Sequence, residues 1–106
     1  MRAQIEAAAA RIASHIRVTP VIALRSERDV GMDVAHLKPE LLQHGGSFKA
    51  RAAFNRMLSE PIPVAGVIAA SGGNHGVAVA LAAHRLGVRS EIFVPTTTPA
   101  AKIERL

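Results

Sequence analysis

Two short stretches carry side chains that could do chemistry. In "LLQHGGSFKARAAFN" a lysine, Lys49, follows a polar, glycine-bearing turn and opens an alanine-rich helix. Helix surfaces carry solvated lysines everywhere, and an amine at a helix start can also be a group placed for reaction. On the residues alone both readings stand. In "SGGNHG" the residues Ser71, Gly72, Gly73, Asn74 and His75 make a tight loop ahead of a second helix. Backbone N–H groups at a helix N-terminus attract anions. A plain turn, whose glycines only relieve crowding, has the same look. The spacing is neither G-x-G-x-x-G nor a Walker pattern. The other histidines, His15, His36, His44 and His84, show no metal-ligand spacing, so no metal site is expected.

The elements that must position these loops follow from pattern. Ile5, Ala8, Ile12 and Ile16 recur at helical spacing and predict an amphipathic helix over residues 2–16. "VTPVIALRSE" is a connector or short strand, because Pro20 drives Thr19 toward an extended backbone. "DVAHLK" (33–38) reads as a short strand closed by Pro39. Ser47 can cap a helix over residues 48–59, which "EPIP" then breaks. "VAGVIAA" (64–70) is almost wholly apolar, the mark of a strand covered on both faces. "VAVALAAHRLG" predicts a helix with Val77, Ala80, Leu81 and His84 on one stripe and Gly87 as its stop. "RSEIFVP" is another strand, and Thr98 caps a last helix with Pro99 at its first position. Residues 64–94 are therefore a βαβ unit with parallel strands and a right-handed crossover. In open α/β sheets ligands bind beyond the carboxyl ends of the strands, and "SGGNHG" sits at such an end. The fold class expected is α/β, an open, mostly parallel sheet with helices on both faces.

Composition narrows the function classes. The chain has 106 residues, 49% of them hydrophobic, with no Trp, Tyr or Cys and three Phe. Its core must come from Ala, Val, Ile and Leu, which suits tight helix-on-sheet packing. Without cysteine there is no disulfide and no thiolate metal site, as fits a reducing compartment. The net charge is +5. However, arginines such as Arg2, Arg11, Arg25, Arg56, Arg85 and Arg105 form no run and are not interleaved with aromatics. Nucleic-acid binding is not expected, since it needs a concentrated basic face. The alanine run near the N-terminus is interrupted by Glu6 and Arg11, and no segment is long enough to span a membrane. A cytoplasmic protein is expected.

Together the two loops carry a resemblance. "LKPELLQHGGSFKARAAFN" followed by "AASGGNHGVAVALAAHRLGVRSEIFVPTTTPAAKIERL" resembles the fold-type II pyridoxal-phosphate enzymes, in the branch of threonine/serine dehydratases and serine racemases. The shared features are a Lys-x-Glu strand end, a Gln, Gly-Ser-Phe-Lys-x-Arg, and a later Ser-x-Gly-Asn-His after a strand. "VTPVIALRSE" matches the family's Thr-Pro-hydrophobic opening, so the resemblance runs from Thr19 to Leu106. It implies that Lys49 is the Schiff-base lysine of pyridoxal 5'-phosphate. An unprotonated amine can attack a carbonyl, and a helix N-terminus disfavours a positive charge. The same lysine would then take the substrate's α-proton while the cofactor ring stores the electrons. The resemblance also implies that Asn74 hydrogen-bonds the ring hydroxyl oxygen and that Phe48 lines the cofactor cavity. Ser71, Gly72, Gly73 and His75 would grip the substrate carboxylate. The implied activity is deamination of a hydroxy amino acid, threonine or serine, to a 2-keto acid and ammonia. Serine racemase and a hydroxyaspartate-cleaving relative stay open beside it, as does a non-catalytic fragment.

Some positions depart from the family's common pattern: Pro39, Leu41, Gly46 and Ala52. They remove no named catalytic group and leave the particular substrate unassigned. His75 after Asn74 favours dehydratases over cysteine synthases. The resemblance implies a two-domain enzyme, a homo-oligomer longer than this chain. The 106 residues are expected to be its N-terminal portion and inactive alone, with residues 1–52 forming the first helix, early strands and lysine segment, and 53–106 the start of the βαβ domain.

Overall fold

The computed structural model describes residues 1–23 and 36–106. Helix α1, Arg2–Ile12, ends four residues earlier than its pattern predicts. Only Ile12 of this helix is buried, and Ile5 is exposed. The chain leaves the helix early because Arg17 must reach Gln43. The Arg17 N–H donates to Gln43 Oε1 at 2.8 Å, and Gln43 Nε2 donates back to the Arg17 carbonyl at 2.9 Å. Strand β1, Ile22–Ala23, then pairs antiparallel with β2, His36–Leu37. The opening of the strand expected over 33–38 lies outside the described residues.

Glu40–Leu42 and His44–Gly46 are single 3-10 turns, the second with Gly45 and Gly46 at φ +71° and +73°. Helix α2, Lys49–Ser59, begins one residue later than expected. Ser47 is not its direct cap: it sits one position further out, and its hydroxyl takes a long 3.4 Å bond from the Lys49 N–H. The helix runs unbroken through residues 52 and 53 and buries Ala50, Ala53, Phe54 and Met57, the spacing of one helical face.

The βαβ unit is present and parallel. Strand β3, Val67–Ala70, pairs with β4, Ser90–Phe93, from Val67 opposite Ser90 to Ala70 opposite Phe93. β3 starts at Val67 rather than Val64 because Gly66, at φ +93°, turns beneath Arg89. A Cβ on Gly66 would lie 2.3 Å from the Arg89 carbonyl oxygen. Coverage on both faces is not found among the described residues. Ala69 is buried while Ile68 is 74% exposed, since helix packing reaches one side of this two-stranded sheet.

Helix α3, Asn74–Arg85, corrects the expected stripe. Its buried residues are Gly76, Ala78, Val79, Ala82 and Ala83; Val77, Ala80 and Leu81 are half-buried and His84 is exposed. Helix α2 supplies the bulk, Phe54, so α3 meets it with small side chains. Val77 and Leu81 pack instead against the turn at Gly45. The stop at Gly87 is as expected. At φ +67° it closes a Schellman motif, with Val88 N–H on the Ala83 carbonyl at 2.8 Å and Gly87 N–H on the His84 carbonyl at 3.2 Å. Helix α4 is short, Ala100–Ile103, and Pro99 rather than Thr98 occupies its cap position. The Thr98 side chain lies against Gly72 instead.

A polar knot ties the early segment to α2. Arg51 Nε and Nη2 donate to the two Glu40 oxygens at 2.6 and 2.7 Å, and Thr19 Oγ1 donates to Glu40 Oε1 at 2.5 Å. Lys38 Nζ donates to the Thr19 carbonyl at 2.8 Å. Arg51's hydrogen bonds hold the Glu40 carboxyl down to about 2, against a burial that would raise it, with help from Thr19 and the Lys38 charge.

Two outcomes follow. Ala82 is wholly buried, and Ala82→Leu forces extra carbons into the core, so it should destabilise by about 1–3 kcal/mol. Equal midpoints in denaturant unfolding would contradict the packing. Because Glu40's carboxyl is depressed in the folded state, its contribution is full above its unfolded value and fades as pH falls toward 2. Wild type should exceed Glu40→Gln by about 1–3 kcal/mol at neutral pH, with the gap closing between about pH 5 and pH 2. A gap independent of pH would contradict the pair.

Candidate active site

The first loop is built around Gln43, which is 2% exposed. Its Oε1 also accepts the His44 N–H at 3.1 Å, so one amide pins both Arg17 and the start of the glycine turn. Gly45 and Gly46 take left-handed conformations that other residues adopt at a cost. The chain then enters α2 with Lys49 at its first position. Lys49 is half-buried, and its ammonium stands 5.1 Å from the centroid of the Phe48 ring. That ring is 58% exposed.

The second loop follows β3. The Ser71 N–H donates to the Phe93 carbonyl at 2.9 Å, which continues the strand pairing by one residue. Ser71 Oγ accepts the Gly73 N–H at 3.2 Å. Gly76, in the first turn of α3, is sterically required. A Cβ there would come within 2.2 Å of the Ser71 carbonyl oxygen. The loop is thus pressed flat onto the helix start, and Asn74 opens α3 with its side chain exposed. The first N–H groups of a helix have no partner within it and favour negative charge.

The first loop lies along the flank of α3, from Val77 to Arg85, whose guanidinium is 3.2 Å from His44 Nδ1. A Cβ on Gly45 would sit 3.5 Å from Val77 and 3.7 Å from Leu81. A hollow of about 220 Å³ is lined by Gly72, Gly73, Asn74, Val77, Lys102 and Arg105. The Arg105 guanidinium also approaches Gly46, at 3.9 Å from its Cβ position. The structure therefore gathers Gly72, Gly73 and Asn74 around one concavity, with Ser71 holding Gly73. Phe48 and Lys49 adjoin the glycine turn but do not line that hollow. His75 is directed elsewhere: it lines a groove of about 430 Å³ between α2 and β3, with Arg56, Met57 and Ile68.

Sequence reasoning gave no role to Glu40, Thr19, Arg51, Lys102 or Arg105. Thr19, Glu40 and Arg51 were visible as parts of matched motifs, yet their mutual contact depends on the fold. Lys102 and Arg105 carried no signal beyond charge. Among the described residues no group of His, Asp and Glu could hold a metal ion, and no helix is long and apolar enough to cross a membrane.

Comparison with known proteins adds to this geometry. Residues 12–106 match the family described as pyridoxal-phosphate dependent enzyme. A catabolic L-threonine dehydratase of Staphylococcus aureus is 42% identical over 101 residues, covering 92% of this chain and 29% of that protein. A crystal structure of a pyridoxal 5'-phosphate-dependent aspartate racemase superposes with a TM-score of 0.82 at 41% identity, over 99% of this chain and 34% of that one. Maize serine racemase superposes with a TM-score of 0.80 at 34% identity, over 97% and 32%. The chain thus spans about a third of the length of these relatives. With residues 12–106 matched by the family and nearly the whole chain superposing on its solved members, this chain belongs to the pyridoxal-phosphate-dependent enzymes of the α/β, fold-type II kind.

Proposed function

We propose that the whole protein deaminates a hydroxy amino acid, threonine or serine, to a 2-keto acid and ammonia, and that Lys49 is the residue bonded to the cofactor's aldehyde. The observation that carries this is the placement of an amine and an amide at the first positions of two adjoining helices, Lys49 on α2 and Asn74 on α3. The donor set fits pyridoxal phosphate. It offers a primary amine for an aldehyde and a neutral amide for a ring oxygen, beside a loop that Gly76 holds flat for the substrate's carboxylate. When bound, the cofactor supplies an electron sink for a carbanion at the substrate's α-carbon.

The chain's own residues would do the rest. Lys49 Nζ, once displaced by the substrate's amino group, is the base for the proton on the α-carbon. The Asn74 amide donates to the ring oxygen. The Ser71 hydroxyl and the first N–H groups of α3, beside Gly72 and Gly73, receive the substrate carboxylate, where the start of α3 favours negative charge. Phe48 offers an exposed flat face beside Lys49 to wall the cofactor. His75 faces the α2–β3 groove, and the proposal gives it no part in the carboxylate grip. The β-hydroxyl takes up a proton and leaves as water, and one water is consumed on hydrolysis, so keto acid and ammonia balance the amino acid consumed.

A second reading rests on the superposition with two racemases: Lys49 would remove the α-proton from one face, and a second acid, contributed by the rest of the protein, would deliver a proton to the other. Incubating the whole protein with L-threonine and L-serine separates the two. Keto acid with equal ammonia supports deamination, and D-amino acid without ammonia supports racemisation. In either case Lys49→Ala should lower turnover by about 10²–10⁴-fold. Turnover that survives Lys49→Ala would contradict the assignment of this lysine.

A further inference from the structure

We propose that Glu40, Arg51 and Thr19 are positioning residues that set the direction in which α2 presents Lys49, an inference that rests on Lys49 being the cofactor lysine. Lys49 and Arg51 are two residues apart on one helix, so their side chains leave its axis about 200° apart. Arg51 therefore grips the side of α2 away from the amine. A single hydrogen bond would let the helix roll, whereas a two-pronged guanidinium–carboxylate contact fixes a plane. Here both prongs are short, 2.6 and 2.7 Å, with side-chain exposure of 30% for Arg51 and 15% for Glu40.

The carboxylate is itself immobilised. Thr19, 4% exposed, donates to Glu40 Oε1 at 2.5 Å, and its oxygen is 3.5 Å from Arg51 Nη2, closing a triangle. Lys38 fixes the Thr19 carbonyl. Among the described residues no short side-chain hydrogen bond caps the start of α2. Phe48, the cap residue, makes no side-chain cap bond, and the Ser47 contact is long at 3.4 Å. The Arg51 fork thus anchors the first turn of α2 to Glu40 and sets the helix's rotation, on which the reach of Lys49 depends.

Misplacing a reacting group by about 1 Å can cost about 10²-fold in rate. In the whole protein Arg51→Lys, which keeps the charge and loses the fork, should lower kcat by about 10–100-fold with KM within about threefold, in whichever of deamination and racemisation the wild type catalyses. Thr19→Val should lower kcat by about 3–10-fold, and Thr19→Ser, which restores the hydroxyl, should recover most of it. Thermal midpoints are measured alongside, and the wild-type cofactor lysine is identified by borohydride trapping and peptide mapping. An adduct on a lysine other than Lys49 would sink the functional reading and this inference together. An adduct on Lys49, with Arg51→Lys and Thr19→Val lowering only the thermal midpoint and not kcat, would overturn the inference alone. If Arg51→Lys does not fold, the Thr19→Val and Thr19→Ser pair decides by the same criteria.

Discussion

Everything at the candidate site depends on how closely α2 and α3 can approach. Ala50 and Ala53 on one helix meet a face of Ala78, Ala82 and Ala83 on the other, and most of these side chains are wholly buried. Methyl groups keep the two backbones near each other, and Phe54 fills the space that remains, with His15 stacked on its ring at 5.3 Å. Each helix is preceded by a glycine-bearing loop. The contact that forms the core therefore also brings the loop before Lys49 against the flank of α3, at Val77, Leu81 and Arg85. Longer side chains on this seam would part the loops as well as the helices, so packing and site geometry are one constraint.

The polar groups that cross this small core are paired. Among the described residues no buried side-chain nitrogen or oxygen lacks a partner. Gln43 acts as a piece of strand, exchanging two hydrogen bonds with the Arg17 backbone, and Glu40 gathers Arg51 and Thr19. Burial without such partners would cost several kcal/mol, of the order of the net stability of a small domain. Both residues sit in the short segment between β2 and α2, which is how the early chain is tied to the helix that carries Lys49.

Much of this was legible from residues alone, for physical reasons that can be named. The run before "SGGNHG" is apolar because β3 is a strand in a βαβ unit, and Gly87 announces the end of α3 because only glycine accepts its left-handed backbone cheaply. Lys49 and Asn74 stand out through the motifs around them. The interior face of α3 was not legible: hydropathy favours Val77 and Leu81, whereas close packing selects the alanines beside them. Thr98 has the chemistry of a cap, yet its side chain is occupied against Gly72. The Glu40–Arg51 contact joins residues 11 apart and draws in Thr19, 32 residues from Arg51, so only the folded chain reveals it. His75 follows Asn74 directly, but successive helical residues point about 100° apart, which sends it to the other groove.

The central claim is that this helix seam presents Lys49 and Asn74 to one cofactor. A crystal structure of the whole protein with pyridoxal phosphate tests it most directly. The account predicts continuous density between Lys49 Nζ and the cofactor's aldehyde carbon, with the Asn74 amide within hydrogen-bond distance of the ring oxygen. Density continuous instead with Lys38 or Lys102, or a ring lying away from Asn74, would contradict it.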